Sequence, residues 1–208
     1  ASQAQAPTLS ERVAARRAGA WEDVAEACDR LAAVAAGDDR AALLEESAAV
    51  WMERLGRDDE AADRLWKVVR QDRRRPNAYF RLHDLLATRG EHGDLIELVR
   101  ERAHATEDEA QRVRLIYERA RLHRTLGQLD QSLAAIEELR MLDVRHAGGI
   151  ALASEIHMSR EAWPEAVAAL RDLAAADGPA EQARIARLGA AETLLVRMDR
   201  PAEALAEL

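Results

Sequence analysis

The chain has 208 residues, 48% of them apolar but only 3% aromatic, and a net charge of -8. A core drawn from Ala, Leu and Val suits close helix packing rather than a ligand-filled cavity, and the acidic balance argues against a general nucleic-acid binder, which needs a basic face to neutralise phosphates. The single cysteine, Cys28, excludes an internal disulfide and a thiolate zinc cluster, and no apolar run is long enough for a transmembrane helix.

Residues 1–7 read as a disordered polar tail, with Thr8 or Ser10 as the cap of the first helix. The expected compartment is the cytoplasm, or the periplasm or extracellular space if Ala1 is a processed N-terminus. Helices are predicted over 9–18, 21–36, 39–55, 58–73, 77–89, 92–104, 108–126, 129–142, 147–159, 162–176, 180–197 and 201–208. The short connections make neighbours antiparallel. Pro76, Pro164, Pro179 and Pro201 stand at or near helix starts, where a missing N–H costs nothing. Alternating β-branched runs are absent, so no sheet is predicted.

Six turns share one offset: Gly19 before Val24, Gly56 before Ala61, Gly90 before Leu95, Gly127 before Ser132, Glu161 before Ala166, and Asp199 before Ala204. These anchors lie 37, 34, 37, 34 and 38 residues apart, the mark of stacked helical hairpins too small to bury their own apolar faces. Sliding the chain by 71 residues also places Trp51 on Leu122, Gly56 on Gly127, Leu65 on Ile136 and Val68 on Leu139, so the repeating unit is double. The first helices of the second, fourth and sixth units are about one turn longer than the others. Acidic or Gly/Pro starts precede them, at Gly37-Asp38-Asp39, Thr106-Glu107-Asp108 and Asp177-Gly178-Pro179, and are expected to cap their N-termini.

Gly at the inter-helix turn, a small residue five later and apolar residues after four and seven more resemble the tetratricopeptide repeat, as in Gly56, Ala61, Leu65, Val68 and in Gly127, Ser132, Ile136, Leu139. The resemblance covers residues 8–208. It implies an all-α, right-handed superhelical solenoid of about six antiparallel hairpins, forming one array and resembling long bacterial arrays of this family. The match is degenerate. Glu45, Tyr79, Ile116, Ile150 and Leu188 stand at the aromatic position of the first helix, and His83 at one small position. Trp21 and Trp163 lie two residues after their turns, where each can plug a neighbouring hairpin.

Catalytic signatures are missing: there is no phosphate loop, nucleotide fingerprint, His-Glu-x-x-His helix or nucleophile elbow. The chain reads as non-enzymatic, with no cofactor. His123 and His157 share one repeat position, and a metal there would need a third ligand such as Glu155 or Glu161; packed, hydrogen-bonded histidines are the simpler expectation. Gly148-Gly149 reads as a helix start where backbones touch. Arg73-Arg74-Arg75-Pro76 reads as a solvated helix C-terminus whose cations face the negative dipole end.

The resemblance implies that first helices line a concave groove. Offsets from the anchors place Asn77, Phe80, Arg81 and Asp84 there in the third unit, Arg114, Tyr117, Arg121 and Arg124 in the fourth, and Glu155 and Met158 in the fifth. Spacings of three, four and three put the fourth-unit set on one helical stripe. A ring among three guanidiniums suits an acidic peptide, although Glu118 is spaced to satisfy Arg114 and Arg121 within the helix. The expected function is a protein–protein interaction scaffold holding a peptide or partner domain, without nucleic acid and without membrane insertion. The alternative is a structural spacer or self-assembling segment of a larger protein, since Val196, Met198, Leu205 and Leu208 offer no solvating cap at the C-terminal end.

Overall fold

The computed structural model describes residues 9–176 and 178–208. The expected tail, the Thr8 cap and Asp177 lie outside the described residues. The described residues form twelve α-helices: α1 (Leu9–Ala18), α2 (Trp21–Val34), α3 (Gly37–Glu53), α4 (Asp58–Gln71), α5 (Pro76–Arg89), α6 (His92–Ala105), α7 (Glu109–Thr125), α8 (Leu129–Leu142), α9 (Ala147–Ser159), α10 (Trp163–Ala175), α11 (Ala180–Glu192) and α12 (Pro201–Ala206). A π turn, Thr193–Arg197, continues α11. There is no strand among the described residues. Ser10 lies inside α1 and does not cap it.

Every anchor read from the sequence sits in the left-handed region, with φ between 54° at Asp199 and 72° at Gly19. This conformation turns the chain so that the N–H of the following residue reaches back to a carbonyl of the last helical turn: Glu91 to Leu86 at 3.0 Å, Gln128 to His123 at 2.9 Å and Ala162 to His157 at 2.9 Å. Carbonyls that would end the helix unpaired are thereby satisfied. Glycine adopts this region without a Cβ penalty, whereas Glu161 (φ 58°) and Asp199 (φ 54°) hold it as L-residues at a cost of roughly 1 kcal/mol each.

The long–short alternation is present: α3 and α7 have 17 residues each, against 14 in α5 and 13 in α9. The step of 38 residues from Glu161 to Asp199 is one longer than the other long steps. It falls on the helix that carries the π turn, a geometry that holds extra chain inside a helix without breaking it. Of the expected acidic caps, Asp108 accepts from the Ala110 and Gln111 N–H groups at 3.0 and 3.3 Å. Asp38 and Asp39 lie in the first turn of α3 instead, where they act on the helix dipole without capping.

The chain divides into two compact units, one ending at Ala105 and one beginning at Thr106. Within each, successive helices pack as antiparallel neighbours around the repeat positions. Five residues after each anchor stands a buried residue: Val24, Ala61, Leu95, Ser132, Ala166 and Ala204. Nine after, Cys28, Leu65, Val99, Ile136 and Leu170 are buried, and each large apolar side chain withdrawn in this way contributes about 1.5–3 kcal/mol. Ser132 is tolerated because its hydroxyl donates to the Ala120 carbonyl at 2.7 Å, and Ser47 donates likewise to Ala25 at 3.3 Å.

Arginine stitches one hairpin to the next at recurring positions. Arg89 pairs with Asp59, and Arg160 with Asp130 at 2.8 Å, both 30 residues apart. Asp29 with Arg64 and Arg171 with Glu207 occupy another shared pair of positions with the charges exchanged, each at 2.6 Å. Trp21 and Trp163 are half-buried and covered by an arginine from the end of the next unit's first helix: Arg54 lies 4.7 Å from the Trp21 ring centroid and Arg197 5.2 Å from that of Trp163. Such contacts add about 0.5–1 kcal/mol at exposed sites.

Candidate partner-binding faces

The ten residues expected to line a groove fall on α5 of the first unit and on α7 and α9 of the second. On α5, Asn77, Phe80 and Arg81 line an open cleft of about 440 Å³ whose other wall is Glu45, Glu46 and Ala49 of α3. Phe80 is exposed, whereas its neighbour Tyr79 is buried and meets it edge to face at 5.4 Å. The charged groups of this cleft are paired from inside the protein, although Glu46 Oε1, 3.5 Å from the Arg16 guanidinium, has no hydrogen-bond partner among the described residues. Arg81 pairs with Glu53 at 3.2 Å, Glu45 with Arg75 at 2.9 Å and Glu46 with Arg12 at 2.9 Å. Asp84 projects into solvent, its Oδ1 3.6 Å from His83 Nδ1.

The α3 wall was not among the expected residues. Glu46 stands ten residues before Gly56, the same offset as Phe80 before Gly90, so carrying the third-unit offsets into the second unit would have found it.

On α7 the picture is opposite. Arg114 and Arg121 are exposed and Arg124 half-buried. None of the three forms an ion pair among the described residues, and neither Arg114 nor Arg121 makes the intrahelical pair with Glu118 that its spacing offers. The Nε of Arg124 is buried without a hydrogen-bond partner.

Tyr117 differs from the expected stacking platform. Its ring lies 4.8 Å from that of His146 and against α9, with the Arg121 guanidinium 6.0 Å from its centroid. A Cβ on Gly148 would stand 2.8 Å from its Cζ and hydroxyl oxygen, and a Cβ on Gly149 2.7 Å from Leu139 Cδ2. The glycine pair therefore opens room for side chains of α7 and α8 instead of bringing two backbones together. His146 fixes the start of α9, its Nδ1 accepting from the Gly149 N–H at 3.0 Å. On α9 itself Glu155 is exposed, while Met158 packs against the core shared by α9, α10 and α11.

Three other sequence features resolve locally. Arg73 pairs with Glu101, and Arg75 with Asp38 at 3.1 Å and with Glu45, so this basic run follows the end of α4 and ties the turn to α3 and α6 instead of forming a solvated helix terminus. His123 Nδ1 lies 2.7 Å from Gln128 Oε1 across its turn. Among the described residues no three His, Cys, Asp or Glu side chains are placed to hold a metal. Cys28 is fully buried, and burial, with Glu46 adding to it, pushes its thiol up to about 11. Among the described residues no helix is long and apolar enough to cross a membrane.

No family model and no curated protein matches the chain. Solved structures do. The C-terminal part of a TPR repeat-containing protein from Cytophaga hutchinsonii superposes with a TM-score of 0.54 at 12% identity, over 94% of this chain and 79% of that one. MamA from Desulfovibrio magneticus RS-1, from residue 41 to its end, gives a TM-score of 0.52 at 17% identity, over 83% of this chain and 93% of its own. Likeness at this identity speaks for the fold alone. Together with six left-handed anchors recurring at a period near 35 residues, it makes this all-α chain a tetratricopeptide-like helical repeat protein.

Proposed function

We propose that the chain is a non-enzymatic protein–protein interaction scaffold, and that α7 holds an acidic peptide or the acidic face of a partner domain. The observation that supports this reading is a set of three arginines on one helical stripe that form no ion pair among the described residues, in a chain whose other arginines mostly pair with carboxylates or carbonyls. Guanidinium groups form short, bidentate bonds with carboxylates. At α7 no carboxylate of the protein has to be displaced from them first. Tyr117, packed against α9, holds Arg121 in place and is not itself the contact surface. The groups on α5 are a weaker anchor for an acidic ligand, because Arg81 would have to leave Glu53.

A panel of Glu- and Asp-rich fluorescent peptides, followed by anisotropy at low salt, tests this. Arg121→Glu with Arg124→Glu is expected to weaken binding by about tenfold or more while the helical circular dichroism stays unchanged. Equal affinity for wild type and variant would remove α7 from the account. A second reading, a structural spacer or self-assembling segment, draws on the apolar surface of α11 and α12.

A further inference from the structure

The arginine stripe of α7 is accompanied by a charge of opposite sign on the neighbouring first helix. α7 and α9 belong to consecutive hairpins of the unit that begins at Thr106, and α8 runs back between them, so the two are parallel. One contact fixes their register: the Tyr117 ring fills the space left by Gly148, where a Cβ would stand 2.8 Å from its Cζ. Seven residues further along each helix, about two turns, stand Arg124 and Glu155. The same offset therefore sets Arg124 on one wall of the α7–α9 groove and Glu155 on the other.

The protein itself uses neither charge. Glu155 is exposed, and neither it nor Arg124 makes an ion pair or a side-chain hydrogen bond among the described residues. Carboxylates elsewhere in this unit do find arginines of a neighbouring hairpin, Asp130 with Arg160 at 2.8 Å and Glu207 with Arg171 at 2.6 Å. Of the Arg124 nitrogens only Nε is buried without a partner, so the terminal nitrogens are the donors open to a ligand.

A purely acidic ligand crossing this groove brings like charge against Glu155. A ligand with a cation close to its carboxylate is met by the opposite charge at both walls. The spacing follows from the two backbones. Packed helix axes lie about 8–10 Å apart, and side chains two residues apart on an extended peptide point the same way about 7 Å apart.

From this arrangement we infer that Glu155 selects a basic residue in the ligand. The α7–α9 groove takes an extended peptide whose Glu or Asp pairs with Arg124 and whose Lys or Arg, one residue removed from that acid, pairs with Glu155. The inference rests on the reading of α7 as the helix that holds acidic ligands, and narrows that ligand from an acidic peptide to a mixed-charge one. Exposed ion pairs are individually weak, so Glu155 discriminates between ligands more than it anchors them.

The test compares two fluorescent acidic peptides by anisotropy at low salt. One carries Lys two residues to either side of its central Glu, and the other carries Gln at both places. Wild type is expected to bind the Lys peptide about three- to fivefold more tightly. Attraction to the arginines alone would rank the two the other way, because Lys removes negative charge from the ligand. Glu155→Gln, at an exposed site and checked by circular dichroism, should invert the order in favour of the Gln peptide. Arg121→Glu with Arg124→Glu should weaken both peptides. A wild type that prefers the Gln peptide would overturn the role of Glu155 alone, as would a Glu155→Gln variant that keeps the wild-type preference. Failure of either peptide to bind wild type at all would instead overturn the α7 reading, and this inference with it.

Discussion

Helices α5 and α7 are each the first helix of a hairpin, but the expected stripe carries Arg81 and Asp84 on α5 and Arg114, Arg121 and Arg124 on α7, and of these arginines only Arg81 is ion-paired among the described residues. Arg81 on α5 is neutralised by Glu53, and the cleft beside it is bounded by Glu45 and Glu46, each held by an arginine of its own unit. Arg114, Arg121 and Arg124 on α7 have no such partners among the described residues. A common fold thus yields one face that stabilises the repeat and another with charge left over for a partner. Composition separates the two in part, one arginine with an aspartate against three arginines, but which of them is paired is decided by packing.

The largest expected effect breaks this comparison at α7. Arg121→Glu with Arg124→Glu should cost an acidic ligand about tenfold or more in affinity, about 1.4 kcal/mol, whereas Arg81→Glu should change it by less than about twofold. Similar losses from both would show that α5 and α7 are not distinct.

Next in size is the support beneath α7. Gly148→Ala places a Cβ against the Tyr117 ring, and overpacking of this kind costs about 1–3 kcal/mol. Urea unfolding should show that loss, together with weaker acidic-peptide binding as Arg121 loses its backing. Unchanged stability would mean that Tyr117 swings away freely and positions nothing.

The smallest effect contrasts the turns. Gly90→Ala should cost about 1 kcal/mol although its Cβ meets nothing within 4 Å, because the cost lies in the left-handed backbone alone. Glu161→Gly and Asp199→Gly should do the reverse, each stabilising by about 0.5–1 kcal/mol. Thermal or chemical denaturation of the three variants checks the sign. A destabilised Glu161→Gly would show that the carboxylate contributes more than the backbone strain costs.

The turns were also the most legible part of the sequence. A left-handed residue at fixed offset from a buried small residue is a local, steric requirement, so Gly19, Gly56, Gly90 and Gly127 announce it and Glu161 and Asp199 betray it by spacing. Helix ends followed to within about two residues for the same reason. The candidate faces were less legible because ion pairing is decided between hairpins. Nothing within Arg73-Arg74-Arg75 indicates that Glu101, Asp38 and Glu45 wait on other helices. The spacing of Glu118 to Arg114 and Arg121 suggested neutralised arginines where the structure leaves them unpaired. Tyr117 was assigned to the right helix but to an open stripe, since the space made by Gly148 on α9 is a three-dimensional fact. The π turn was foreshadowed only by a step of 38 residues where 37 was the rule.

The most direct test of an open α7 face is the arginine Nε–Hε region of a nitrogen–proton NMR spectrum, recorded as an acidic peptide is added to saturation. The account predicts that Arg114, Arg121 and Arg124 move, the exposed Arg114 and Arg121 most, while Arg81 stays in place on Glu53. Shifts at Arg81 with none on α7 would contradict it.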